Sequence, residues 1–526
     1  MTAAPKALAR AGLIVSSAIL ASRLLGWLRT VVISSTFGAS AQLDAYFAAF
    51  RIPDLIFQLV AAGALSTALI PVLAGLLARG EDDHAWRVLA SVGNAMLLAL
   101  TVLAIVVAVA APVIVPIITP GFTEAQLELT VTMTRVMLLS PIFLAAGAVV
   151  GSALNASGRF AAAAGAPLLY NLAIIGAALV LAPAMGVEAL AVGVVLGAVL
   201  SLLVQLPQLV RLPHFRYRLA VDLRDPAARE ALLLMVPRAI GLGVTQITFL
   251  VNTALATTLG AGALTAYNVA FTILQIPIGL IGLPLGIVLL PSLSRAAALE
   301  QDRDFGRLLV RAIRLLLYAL LFLTTVLMVL RVQVVTVLFD YGLFDAQAIE
   351  QTSQALLVFM VGLAAHGLIQ VLARAFYAHK DTRTPVMAAI LSVIVNVIVS
   401  IATVGALGLA GLALGIAAGA WFEALLLLAL LVRRSPAIEA APLLRSGLIY
   451  SVGALLAGAV AWGLLGLLSG WLPDMGAKLA SVIVLVLAGG GAALAYVAYS
   501  RLLRLPELDG LLAALRLAVR RGEETP

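Results

Sequence analysis

Three arginines, Arg23, Arg29 and Arg51, stand inside the first two of many membrane-length apolar runs. Arg23 and Arg29 fall in GLIVSSAILASRLLGWLRTVVISSTFG (12–38), and Arg51 falls in LDAYFAAFRIPDLIFQLVAAGALSTALIPVLAGLL (43–77). At about 1.5 Å per helical residue, all three lie well within the roughly 30 Å hydrocarbon slab of a bilayer. An arginine facing lipid at that depth costs roughly 2.5–3.5 kcal/mol on insertion scales, so three would cost about 8–10. We therefore expect them to line a water-filled interior. A guanidinium fork matches phosphate oxygens two at a time, and low dielectric strengthens the contact. The chemistry these residues suit is recognition of an anion such as a pyrophosphate or sugar phosphate.

Few carboxylates balance them. Asp54 and Glu423 lie at comparable depth, and Asp44 lies near an outer end. Either Arg29 pairs with Asp44 or Asp54 and pins two helices, or the arginines stay free for a guest. We take Arg23, Arg29, Arg51, Asp44 and Asp54 as the expected substrate-binding set. Nothing comparable points to catalysis. The chain has no cysteine, and H-E-x-x-H and G-x-x-x-x-G-K-[ST] are absent. His84, His214 and His379 fall in loops, while His366, inside a span, has no acid near it in sequence. The expectation is a non-enzyme with no metal and no cofactor, leaving a coupling ion or the membrane potential as energy source.

The elements that must hold these residues follow from composition. The 526 residues are 63% hydrophobic and 11% charged, with mean hydropathy +1.13. This is an all-α polytopic membrane protein. Fourteen spans are expected at about 11–36, 43–77, 87–117, 128–155, 160–182, 187–210, 230–259, 264–294, 308–338, 348–377, 384–405, 409–432, 445–471 and 478–503. The first is a retained helix and not a signal peptide, because Arg23 and Arg29 interrupt the apolar core such a peptide needs. Of 33 basic residues, the segments placed in the cytoplasm hold 26, the alternate loops hold only Lys478, and six stand within spans. By the positive-inside rule both termini are cytoplasmic. The +8 charge is thus topology and does not indicate nucleic-acid binding.

The chain also repeats itself at a spacing of about 220 residues. LDAYFAAFRI (43–52) returns as LTAYNVAFTI (264–273), LAAGAVVGSALNASGR (144–159) as LAAHGLIQVLARAFYAHKD (363–381), and GVEALAVGVVLG (186–197) as GALGLAGLALGI (405–416). Six spans per repeat keep both copies in one orientation. The expected architecture is two pseudo-symmetric six-helix lobes, 1–225 and 226–440, with two extra C-terminal helices (441–504) and a basic amphipathic cytoplasmic tail (505–526). Transporters bind substrate near mid-membrane at such a repeat interface, often beside broken helices. Pro53 is expected to break the second span and GLIGLPLG (279–286) its repeat partner. Arg135 and Arg331, nearer the outer ends, are expected to snorkel.

At these residues the chain resembles the MurJ (MviN) family of lipid II flippases in the multidrug/oligosaccharidyl-lipid/polysaccharide exporter superfamily. The stretches that carry the likeness are SRLLGWLR (22–29), FGASAQLDAYFAAFRIPDLI (37–56), GALSTALIPVL (63–73), ALNASGRF (153–160), APLLYN (166–171), GLPLGIVLLPSLS (282–294) and RAFYAHKDTRTPV (374–386). The resemblance implies two lobes around a cationic cavity, with Arg23 and Arg29 essential. It also implies that the last two helices form a groove for a lipid tail. The implied function is alternating-access transport of an undecaprenyl-pyrophosphate-linked peptidoglycan precursor across a bacterial inner membrane, in cell-wall biogenesis and cell shape. The partners would be this anionic lipid and the membrane, with the protein a monomer. The rival readings are a flippase for another polyprenyl-linked glycan and a drug or cation antiporter. The chain departs from the family pattern at Thr30, Phe57, Ala62, Phe271, Thr272 and Gln275, where charged residues are common. Asn268, Thr272 and Gln275 are the further cavity candidates of the second lobe, which is expected to be neutral where the first is cationic.

Overall fold

The computed structural model describes the chain except residues 1–4, 60–63, 213–214, 218, 220, 436, 471–475 and 511–526, and except the side chains of 5–14, 16, 64–67, 234, 236–242, 244–245 and 440. Arg238 and most of the basic tail therefore lie outside the described residues. The described chain is helical throughout, with no strand. Among the described residues, eleven helices are long and apolar enough to cross a membrane, or twelve if one pair bent by 44° counts as a single span. The two further expected spans, 43–77 and 230–259, carry charged residues, among them Arg51 and Asp54 in the first and Arg238 in the second, and include undescribed positions. Fourteen is thus compatible with the structure.

Contacts divide the chain into two compact units, Met1–Thr265 with Tyr341–Asp345, and Ala266–Asp340 with Ala346–Pro526. The first contains α1 (Pro5–Phe37), α2 (Ala41–Phe57), α3 (Ala64–Ala78), α4 (Asp82–Ile118), α5 (Glu124–Met137), α6 (Ser140–Ala156), α7 (Phe160–Gly176), α8 (Ala182–Met185), α9 (Glu188–Leu203), α10 (Leu206–Val210) and α11 (Pro226–Thr257). Packing divides the chain elsewhere than the repeat does. The seventh span, α11, packs on α2, α3 and α4, so the first unit runs past residue 225.

Prolines inside these helices free carbonyls, and polar side chains take them up. Pro53 does not break α2, contrary to expectation; the helix runs on to Phe57. The Ala49 carbonyl that Pro53 cannot engage accepts from the Thr134 hydroxyl of α5 (3.4 Å). Likewise Pro112 leaves the Ala108 carbonyl to Arg135, whose Nε donates to it at 3.0 Å. Arg135 therefore satisfies backbone; it does not simply snorkel.

A histidine clasp joins α4 to the start of α11. His84 bonds through Nε2 to Asp225 (2.7 Å) and through Nδ1 to Glu81 (3.1 Å). Asp225 also caps α11 by accepting from the amides of Ala227 and Ala228. The bonds to Glu81 and Asp225 raise the His84 pKa above its ordinary 6.5. A raised folded-state value means that the clasp's contribution is full below the unfolded pKa and is lost as pH climbs through the folded one. Raising pH from about 6 to about 8.5 should lower the melting temperature of the wild type more than that of His84→Gln, by no more than about 2 °C, because the pair is largely solvated.

The second unit contains most of α12 (Ala263–Pro277), then α13 (Leu283–Ala298), α14 (Asp302–Val329), α15 (Arg331–Phe339), α16 (Ala346–Val361), α17 (Leu363–Ala378), α18 (Arg383–Leu407), α19 (Leu409–Arg434), α20 (Ala440–Ser469) and α21 (Ala477–Leu502). As the glycines and Pro284 suggest, a π-type turn at Ile278–Gly282 interrupts the eighth span. Helices α16 and α17 are the pair bent by 44°. Without a hydrophobic drive inside lipid, helices associate by close approach over small residues. Gly411, Gly415 and Gly419 give α19 such a stripe against α18. A Cβ at Gly415 would fall on the Ser400 hydroxyl and 2.8 Å from the Asn396 carbonyl. Gly415→Ala should cost about 1–3 kcal/mol of stability, seen as a lower melting temperature of the purified protein.

Tyr318 of α14, Tyr450 of α20 and Tyr496 of α21 tie the C-terminal pair to the unit. Tyr496 donates to the Tyr318 carbonyl (2.9 Å), and Arg314 bonds both Tyr450 (3.1 Å) and Glu507 (2.8 Å). Asp381, the one acid near the loop before α18, is already engaged. It receives Arg434 (2.6 Å) and the amide and hydroxyl of Thr384, and the Arg434 guanidinium together with Thr384 holds its carboxyl well below the usual range.

Candidate functional site

In the first unit the structure brings Arg29 of α1 and Asp54 of α2 to one cavity of about 490 Å³, walled by α6, α7 and α9. Among the described residues Arg29 forms no hydrogen bond and no ion pair. The pin between helices, one of the two readings of this residue, is not what the structure contains. A second cavity of about 580 Å³ holds Arg23, and Asn155, Ala163 and Pro167 line both. Arg23 is exposed and likewise without a partner. Two cationic chambers thus share the α7 wall. The six-residue step from Arg23 to Arg29 sets them about 9 Å apart along the helix.

Arg51 is placed differently. Its Nε donates to Thr253 of α11 (3.1 Å), and its guanidinium lies 5.3 Å from the Phe249 ring centroid, a favourable cation–π distance. Asp54 accepts from Gln246 (3.3 Å). Its carboxylate also feels the charges of Arg51 and Arg29. Arg51, Asp54, Thr253 and Gln246 therefore form a polar junction between α2 and α11, with Asp54 reaching into the Arg29 chamber.

Asp44 needs correction. It is fully buried, with both carboxylate oxygens occupied. The Gly262 amide, the Thr265 amide and the Thr265 hydroxyl all donate to it at 2.7 Å. It fixes the turn at the start of α12 and offers no oxygen to a substrate. The reason is the repeat itself, since Asp44 and Thr265 are the same position in its two copies and here bond to one another.

Asn268, Thr272 and Gln275 share the accessible face of α12 with Phe271. Thr272 turns its hydroxyl back to the Asn268 carbonyl (2.8 Å). Gln275 is exposed. The corresponding face of α2 presents Phe47, Phe50, Arg51 and Asp54, so the repeat preserves the face while replacing charge with neutral polar groups.

Some lining residues were not singled out from the sequence. Gln205, in the turn between α9 and α10, is buried and lines the Arg29 chamber, its Nε2 donating to the Ser201 carbonyl (2.8 Å) while Oε1 has no partner. Gly147 and Gly151 make room for it, because a Cβ at either would sit 3.0–3.2 Å from its amide. Asn155 and Tyr170 complete the polar wall. A polar residue within an apolar span was the available signal at Gln205 and Asn155.

Known proteins resemble this chain over most of its length. The family model for lipid II flippase MurJ matches residues 33–480, which begins just after Arg29. The chain is 35% identical over 462 residues to the lipid II flippase MurJ of Burkholderia cenocepacia, covering 86% of this chain and 89% of the relative. It is 30% identical over 433 residues to a probable lipid II flippase MurJ of Vibrio cholerae, covering 80% and 82%. Among solved structures it is similar to a lipid II flippase MurJ in an inward closed conformation, with TM-score 0.77 at 22% identity over 93% of this chain and 98% of that one. An inward-facing multidrug-resistance MATE transporter is also similar, with TM-score 0.68 at 18% identity over 79% and 95%. On the extent of the family match and the 35% relative together, the chain belongs to the lipid II flippase MurJ family.

Proposed function

We propose that the chain is a lipid II flippase, carrying the undecaprenyl-pyrophosphate-linked peptidoglycan precursor across a bacterial inner membrane by alternating access. The observation that carries this reading is the unpaired Arg29 in a membrane-depth cavity. An uncompensated cation held out of bulk water attracts a dianionic pyrophosphate strongly, and its planar fork selects geometry as well as charge. A drug or cation antiporter would need the opposite sign in that cavity. Arg23 and Arg29 bind the pyrophosphate, Asp54 and Arg51 position the wall, and the α20–α21 pair accommodates the lipid tail. The two six-helix repeats alternate access between the two sides of the membrane.

In this reading the protein has no catalytic chemistry and no resident cofactor, and a coupling ion or the membrane potential drives the cycle. It works as a monomer that binds membrane lipid and no nucleic acid. Both termini face the cytoplasm because the basic loops do. Reporter fusions after Arg224 should be active only in the cytoplasm, and a periplasmic signal there would overturn the topology. The function itself is tested by expressing the chain in a strain depleted of its own flippase. Restored growth and cell shape are expected; lysis despite normal membrane levels would reject lipid II as the substrate and favour another polyprenyl-linked glycan.

A further inference from the structure

Helix α17 is built the wrong way round for a helix that faces lipid. Its buried positions are all apolar, among them Leu363, Leu368, Val371, Leu372 and Phe376. Its accessible stripe is His366, Ile369, Gln370, Ala373, Arg374 and Tyr377, mostly polar. Such a face is tolerated at membrane depth where it lines water or a ligand. Arg374 lies inside the helix, one turn before its end at Ala378.

The repeat says what this stripe corresponds to. Aligning LAAGAVVGSALN with LAAHGLIQVLAR sets His366, Gln370 and Arg374 on Gly147, Gly151 and Asn155. Gly147, Gly151 and Asn155 line the Arg29 chamber in the first unit. Where that copy uses two glycines and an amide, the second carries imidazole, amide and guanidinium at helical spacing, so all three project from one face.

The row is also unsatisfied. Arg374 donates through Nη1 to the Gln370 carbonyl and to Gln370 Oε1 (3.3 Å), both on its own helix. Among the described residues it has no carboxylate partner. Gly286 of α13 lies directly beneath it, and a Cβ there would land on the guanidinium. His366 Nε2 is buried with no hydrogen-bond partner. A guanidinium with no carboxylate among the described residues and an orphaned ring nitrogen two turns apart suit a ligand with a phosphate at one end and hydroxyl or amide groups at the other.

We propose that the row His366–Gln370–Arg374 is a headgroup-binding site in the second unit, with Arg374 holding a phosphate of the lipid-linked substrate and His366 and Gln370 bonding the adjoining sugar. The site rests on the flippase reading above. It replaces the neutral second half expected from Thr272 and Gln275 with a cationic one supplied from a different helix.

The test uses full-length protein in nanodiscs, with undecaprenyl pyrophosphate and lipid II as probes. Arg374→Gln should weaken binding of both by roughly tenfold or more, and Arg374→Lys should recover part of the loss. His366→Leu should weaken lipid II only, since the bare pyrophosphate has no sugar to reach it. Unchanged affinity for both probes in Arg374→Gln would overturn the inference while leaving the flippase reading intact. If Arg374→Gln lowers the melting temperature, Gln370→Leu serves instead, because it keeps the charge and removes the amide that reaches both Arg374 and the sugar; wild-type affinity for lipid II there would equally overturn the site. A wild-type protein that binds neither probe would overturn the flippase reading and this site with it.

Discussion

Arg29→Ala is expected to give a folded, membrane-inserted protein that does not transport. Arg29 has no ion pair to break, so its removal orphans no partner and should leave the melting temperature at or slightly above wild type. Transport loses two charge-assisted hydrogen bonds to the pyrophosphate at roughly 1.5–3 kcal/mol each, a fall of about 100-fold or more. Arg29→Lys should regain only part of the activity, since a lysine keeps the charge without the bidentate fork. Activity in a flippase-depleted strain, read beside membrane abundance and melting temperature, separates the outcomes. A stable Arg29→Ala protein with full transport would remove the anion-binding role. An unstable one rescued by neutralising Asp54 would restore the pin.

Asp44→Ala should do the reverse. Three donors at 2.7 Å converge on this carboxylate in a fully buried position. Each donor left without an acceptor costs about 1–3 kcal/mol, so the substitution should destabilise the protein by roughly 3–5 kcal/mol. Yield and melting temperature would both fall sharply. Asp44→Asn keeps one acceptor oxygen and should lose about half as much. Transport per folded molecule should stay near wild type in either variant. Lost transport at unchanged stability would instead make Asp44 a substrate ligand, as its sequence position first suggested.

The contrast between these two residues shows what the sequence could disclose. Arg29 was legible because an arginine at membrane depth is expensive wherever it points, and few acids stood near it in the chain. The same argument placed Asp44 with the arginines, since charge and depth were all that could be seen. Its partners, Gly262 and Thr265, lie more than two hundred residues away. The repeat aligned Asp44 with Thr265 but could not show that the two positions touch. Pro53 and Arg135 were misread for a related reason. Each was treated alone, whereas the carbonyls freed by Pro53 and Pro112 are taken up by side chains from α5. The helical class, the apolar spans and the repeat followed from composition and spacing, which need no tertiary partner. The unit boundary did not, because α11 repeats α1 in sequence order yet packs on α2, α3 and α4.

The most direct measurement of the central claim is translocation itself. Full-length protein in proteoliposomes should move fluorescent lipid II from one leaflet to the other, scored by its accessibility to an external quencher. Arg29→Ala should remain at the protein-free rate, and an undecaprenyl-pyrophosphate-linked glycan of another class should move more slowly than lipid II. Wild-type protein that leaves lipid II where it was loaded while moving the other glycan, or that moves lipid II equally well without Arg29, would contradict the account.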